Sequence, residues 1–176
     1  MSTSGTGMES LVVMGVSGCG KSHVGALIAA QLGLPLVEGD AFHSEANRQS
    51  MQSGQALTDE HRMDWLDELG AELALRPGGT VLTCSALKLA YRDRLRAAAP
   101  GLRFAWLDLD VQAASLRVAQ RAAHFFPAVL VTTQFDALEP PLHEPGVLRV
   151  DALTAPDTIA DHVVAWMRDP RIEARG

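Results

Sequence analysis

Eight residues near the start of the chain have the types and spacing to hold a polyphosphate. Gly15-Val16-Ser17-Gly18-Cys19-Gly20-Lys21-Ser22 reads G-x-x-x-x-G-K-S. Glycines at this spacing let successive backbone N–H groups turn inward into an anion nest. Lys21 can reach the outer phosphates, and the Ser22 hydroxyl can ligate Mg²⁺. Gly15, Ser17, Gly18, Cys19, Gly20, Lys21 and Ser22 are therefore the expected nucleotide-binding set, with Cys19 contributing backbone rather than thiol chemistry. Such a loop has meaning only between a strand and a helix. Leu11 to Met14 is a short apolar run ahead of it, and Val24 to Leu32 repeats apolar residues at helical spacing behind it.

Transfer of a phosphoryl group to a hydroxyl also needs a carboxylate near the attacking oxygen and one near the metal. The apolar run Thr80 to Cys84, where a metal-binding aspartate would commonly stand, ends in Thr83-Cys84-Ser85 with no acid. The acids left are Glu38 and Asp40, closing the run at Leu36, and Asp108, closing the run at Phe104. Asp40 fits the base and Glu38 the metal's water shell, although which of the two serves the metal stays open at this point. Lys21 and Lys88 are the lysines among 15 basic residues, the rest being arginines. Where arginine serves most needs, a surviving lysine suggests a place that requires a compact ammonium, which draws attention to Lys88.

The elements that must position these residues alternate. Strands are expected at Leu11–Met14, Leu36–Glu38, Thr80–Cys84, Phe104–Leu109 and Val147–Val150. Helices fall between them, including one started by Thr58 with Asp59 and Glu60 in its first turn. Alternation of this kind predicts an α/β fold, a parallel sheet covered by helices on both faces, with ligands at the carboxyl ends of the strands. The break His124-Phe125-Phe126-Pro127 is the expected lid, around residues 121–128. One domain is expected over residues 1–176, with residues 1–9 a flexible start.

Composition narrows the function. A net charge of −6 supplies no general field for nucleic acid. No apolar run is long enough to span a membrane, and Met1 to Ser10 lacks a signal-peptide pattern, so a cytoplasmic protein is expected. A GTPase would need Asn-Lys-x-Asp after a strand, and the chain has no such string.

Further strings carry a resemblance. Gly15 to Ser22, Gly39-Asp40-Ala41-Phe42-His43, Asn47, Met51, Gly54, Leu57-Thr58-Asp59, Arg62 and Trp65-Leu66 resemble the gluconokinases. So do Cys84-Ser85-Ala86-Leu87-Lys88, Tyr91-Arg92-Asp93, Arg121 with His124-Phe125-Phe126, Gln134-Phe135 and Leu138-Glu139. The resemblance implies a P-loop kinase three-layer sandwich of shikimate-kinase type, with a five-stranded sheet in the order 2-3-1-4-5. It implies ATP- and Mg²⁺-dependent phosphorylation of D-gluconate to 6-phosphogluconate, in a homodimer. It makes Asp40 the base or substrate orienter and Arg121 the lid arginine. It gives substrate contacts to His43, Arg62, Lys88, Arg92, His124 and Gln134. A kinase of another small hydroxy acid or of a nucleoside monophosphate is the nearest alternative, and a nucleotide-binding module without turnover the next. The chain departs from the family pattern at Ser44 and Asp64, where prolines are usual, at Ser50, where lysine is, and at Ala123, where glycine is.

Overall fold

A computed structural model describes residues 7–121, 127 and 129–169. In chain order the elements are β1 (Leu11–Met14), α1 (Lys21–Leu32), β2 (Leu36–Glu38), a 3₁₀ turn (Gly39–Phe42), α2 (Glu45–Gln52) and α3 (Asp59–Ala74). They continue as β3 (Val81–Thr83), α4 (Leu89–Ala98), β4 (Arg103–Asp108), α5 (Val111–Gln120), α6 (Val129–Ala137), β5 (Val147–Asp151) and α7 (Pro156–Met167). The five strands form one sheet in the order β2-β3-β1-β4-β5, all neighbours parallel. This is the predicted order.

The strand pleat divides the core. Leu11 and Val13 of β1, with Val81, Ala105, Leu107 and Val150, face a layer that includes Ile28 of α1 and Val163 of α7. Val12 and Met14, with Val37, Leu82, Phe104 and Trp106, face Leu66 and Leu69 of α3 and Leu95 of α4. Successive strand residues point to opposite faces, so a strand apolar at every position must be covered twice. Leu11, Val12, Val13 and Met14 are all fully buried, and helices lie on both sides. A third, small cluster of Met51, Leu57 and Leu130 joins α2 to α6 beside the carboxyl ends of the strands.

Helix starts follow their side chains. Thr58 accepts a hydrogen bond from the His61 amide at 3.3 Å, as its position predicts. Ser44, standing where the family pattern has proline, caps α2 by accepting from the Asn47 amide at 3.1 Å. Asp110 does the same for α5 through Ala113 at 2.8 Å. Helix α1 begins at Lys21, three residues before the expected Val24. The end of the glycine loop is thus the first helical turn, whose amides have no acceptor within the helix. At the start of the chain, Glu9 pairs with Arg103 at 2.7 Å and Met8 packs on the core.

Candidate active site

The glycine loop bridges β1 and α1 at the carboxyl edge of the sheet. Gly18 and Gly20 take left-handed φ values of 85° and 96°, conformations that a side chain would strain. Lys21 is folded over the loop, its Nζ donating to the carbonyls of Gly15 at 3.0 Å and Val16 at 3.1 Å. Cys19 is buried, and that burial pushes its thiol pKa up, which leaves it without thiolate character. Gly15 lies beneath the loop, where an added Cβ would sit 2.8 Å from the Leu107 carbonyl oxygen.

A cavity of about 230 Å³ opens over the loop. Of the residues singled out in the sequence, Ser17, Gly18, Gly20, Lys21, Ser22, Asp40, His43, Arg62, Arg121 and Gln134 line it. They come from five separate segments, so the strand edge has gathered them. Sequence reasoning missed its apolar part, where Leu57 and Leu130 contribute to both the cavity wall and the small third cluster. It also missed Arg117 of α5, which donates to the carbonyls of Gly18 and Ala152, each at 3.2 Å, and so braces the loop against the turn after β5.

Asp40 sits on the 3₁₀ turn after β2 with its side chain 69% exposed to the cavity side and solvent. Two contacts fix that turn. The Trp65 indole N–H donates to the Gly39 carbonyl at 2.8 Å, and the His43 ring stacks on Trp65 at 4.2 Å. Gly39 is required by close approach: a Cβ there would lie 2.2 Å from the Thr83 carbonyl oxygen. Burial pushes the His43 pKa down to about 4, against a smaller opposing pull from Asp40, so the ring is neutral at pH 7. Its Nε2 is 3.9 Å from Asp40, and its buried Nδ1 has no hydrogen-bond partner among the described residues.

Glu38 lies one residue before the turn, and its Oε2 accepts from Ser22 Oγ at 3.0 Å and from Thr83 Oγ1 at 2.5 Å. Mg²⁺ prefers oxygen ligands and takes few from protein, keeping waters and phosphate oxygens for the rest. Ser22 and Glu38 fit that demand, and no group of three or more acidic, His or Cys side chains able to hold a metal occurs among the described residues. Asp108, the third acid considered, is paired with Arg149 at 2.6 Å.

Three expectations end elsewhere. Lys88 is outside the cavity wall, pairing with Asp59 at 3.0 Å and lying 5.7 Å above the Tyr91 ring, whose hydroxyl also donates to Asp59. Arg62, on the wall, lies 5.8 Å from the same ring, so Lys88 stands next to the site rather than in it. Arg92 departs further from its expected substrate role. It is 0% exposed, and its guanidinium donates to both oxygens of Glu144, to the Ala86 carbonyl at 2.7 Å and to the Glu139 carbonyl at 2.9 Å. Four of its five N–H donors are taken, and complete burial leaves a ligand no approach to the group. Ala86 holds a left-handed φ of 47°, so Arg92 secures the strained bend that leads to Lys88. His124, and the expected lid apart from Arg121 and Pro127, lie outside the described residues. Arg121 ends α5 on the cavity wall.

A parallel 2-3-1-4-5 sheet, a phosphate loop at its central strand and an acidic turn on the edge strand define a P-loop kinase. Comparison with known proteins agrees and goes further. The profile of the AAA domain family matches residues 11–141. The thermosensitive gluconokinase of Escherichia coli is 40% identical over 147 residues, 81% of this chain and 79% of that protein. The gluconokinase of Gluconobacter oxydans is 40% identical over 157 residues, 88% of each. The crystal structure of a gluconokinase from Sinorhizobium meliloti superimposes with a TM-score of 0.84 at 42% identity, covering 91% of each chain. The chain belongs to the gluconokinase family.

Proposed function

We propose that this protein transfers the γ-phosphoryl group of ATP to the 6-hydroxyl of D-gluconate, giving 6-phosphogluconate and ADP. The observation that carries the reading is the convergence of Asp40, Arg62 and Arg121 with the Lys21–Ser22 end of the phosphate loop on one cavity. An acceptor with a carboxylate and several hydroxyls needs cationic and polar partners opposite a phosphate nest. The relatives named above support gluconate as that acceptor.

In this reading the loop amides and Lys21 hold the β- and γ-phosphates. Asp40 accepts the proton of the attacking hydroxyl as oxygen bonds to γ-phosphorus and the bond to the β–γ bridging oxygen breaks. Arg121 neutralises the transferring group. Arg62 binds the gluconate carboxylate, with Lys88 adding positive charge from beside the Tyr91 ring. The neutral His43 and the Gln134 amide face gluconate hydroxyls, and the family resemblance adds His124 to the substrate contacts. Ser22 and Glu38 would hold Mg²⁺, which supplies charge neutralisation across the phosphates. The family resemblance implies a homodimer, and the composition implies a cytoplasmic protein whose partners include neither nucleic acid nor membrane. Among the described residues no helix is long and apolar enough to cross a membrane.

The test is a coupled ADP-release assay with gluconate, shikimate and nucleoside monophosphates as acceptors. Turnover with gluconate is expected, and Asp40→Asn should lower kcat by about 10²- to 10⁴-fold while leaving ATP affinity near normal. Turnover with another acceptor and none with gluconate would overturn the assignment.

A further inference from the structure

Strand β3 ends in a hydroxyl at the place where a carboxylate would serve a metal directly, and that hydroxyl is occupied. Glu38 and Thr83 are register partners in the parallel pair β2–β3. Partners in register project on the same face of a sheet, so a side chain at 83 meets the carboxylate at 38 without any loop having to fold. The Thr83 hydroxyl accepts from the Gly39 amide at 3.3 Å and donates to Glu38 Oε2 at 2.5 Å. Its lone pair is held on one side, and its hydrogen is therefore directed to the other. The methyl group is fixed as well, because it lies against Gly25 of α1, where an added Cβ would come within 2.8 Å of Thr83 Cγ2. A side chain 4% exposed, wedged through its methyl and bonded twice through its hydroxyl, has one orientation.

The consequence falls on Glu38. Its Oε2 receives both Thr83 and Ser22, which leaves Oε1 with no hydrogen-bond partner among the described residues. Ser22, by donating its hydrogen to Glu38, has only lone pairs to offer a cation. We infer that Thr83 is a positioning residue for the metal site: it locks the Glu38 carboxylate so that Oε1 and the Ser22 lone pairs present one preformed oxygen surface. Outer partners of metal-binding groups set their orientation and commonly change metal affinity by 10- to 100-fold when lost. The inference rests on the proposed role of Ser22 and Glu38 at Mg²⁺.

The test uses the whole chain, a non-hydrolysable ATP analogue at saturation and Mn²⁺ as a paramagnetic substitute for Mg²⁺, with free Mn²⁺ counted by electron paramagnetic resonance. Thr83→Val keeps the methyl and the shape but removes the hydroxyl; Thr83→Ser keeps the hydroxyl. The expected result is Mn²⁺ affinity about tenfold weaker in Thr83→Val and close to wild type in Thr83→Ser, with analogue binding in EDTA unchanged in both. Wild-type affinity in Thr83→Val overturns the inference, as does equal weakening in the two variants, which would make packing the cause. If Thr83→Val does not fold, Thr83→Ala is read against Thr83→Ser by the same criterion. Glu38→Gln separates the two levels: if it leaves Mn²⁺ binding intact, the metal role of Glu38 fails, and if it weakens binding where Thr83→Val does not, only the role of Thr83 fails.

Discussion

Gln134 Oε1 accepts a hydrogen bond from the backbone amide of Ser17 at 2.6 Å, joining helix α6 to the phosphate loop across 117 positions of sequence. The carboxamide oxygen is thus committed to the loop, and the amide nitrogen is the part left for a ligand in the cavity. One side chain touches both halves of the site. Gln134→Leu removes both functions at similar volume, and a neutral hydrogen bond contributes about 0.5–1.5 kcal/mol. KM for ATP and KM for gluconate should each rise roughly 2- to 10-fold by that amount. Steady-state kinetics with each substrate varied in turn checks this, and a change confined to gluconate would detach Gln134 from the loop's function.

Arg92 should matter for folding before it matters for substrate. Removing one partner of a buried ion pair strands the other, at about 3–5 kcal/mol. Arg96 also reaches Glu144, at 2.8 Å, so the lower end of that range applies. For a chain of this length Arg92→Met should lower Tm by on the order of 10 °C. Calorimetry or thermal circular dichroism would show it. A variant with unchanged Tm and a raised KM for gluconate would return Arg92 to the substrate.

The buried imidazole of His43 makes stability depend on mild acid. Its pKa is about 4 in the folded protein and near 6.5 when unfolded, because burial disfavours the cation. Between those values the unfolded chain binds the extra proton, so stability is complete above about pH 6.5 and falls as pH drops towards 4, by on the order of 3 kcal/mol. Glu144 acts at lower pH. Burial pushes its carboxyl up, but hydrogen bonds from Arg92 and Arg96 outweigh that and hold it below its usual range. Its contribution is present above the ordinary carboxylate range and is lost as pH falls through the lowered value. Urea denaturation at pH 7 and pH 5 should show a loss in the wild type that His43→Phe, which keeps a ring on Trp65, largely lacks. Equal losses in both would remove His43 as the cause.

Local patterns carried much of this into the sequence itself. The strand–loop–helix context of Gly15 to Ser22 and the apolar strand runs are short-range signals, and the sheet order came with the family resemblance. Asp40 was visible because a strand end is a ligand edge in a parallel sheet. Long-range pairings were not visible. A helical arginine near a motif reads as a site residue, and nothing in the loop around Glu144 announces that it lies 52 positions away as the buried partner. Thr83 reads as an ordinary strand former until the register of β2 against β3 sets its hydroxyl beside Glu38. The apolar wall of the cavity was hidden similarly, since Met51, Leu57 and Leu130 belong to three segments that meet only in the folded chain.

Gly39 sets a limit on how this site can diverge. The obstacle at that position is the Thr83 carbonyl oxygen, 2.2 Å from where any first side-chain carbon would begin. Every codon change to another amino acid therefore meets the same backbone, whatever the chemistry of the new side chain. The residue between Glu38 and Asp40 is closed to variation, and the spacing of the two acids is inherited with the sheet. A descendant of this chain that acquires a different acceptor can do so through Asp40, Arg62, Leu57 or Leu130 on the cavity wall, but not through the glycine that spaces the two acids.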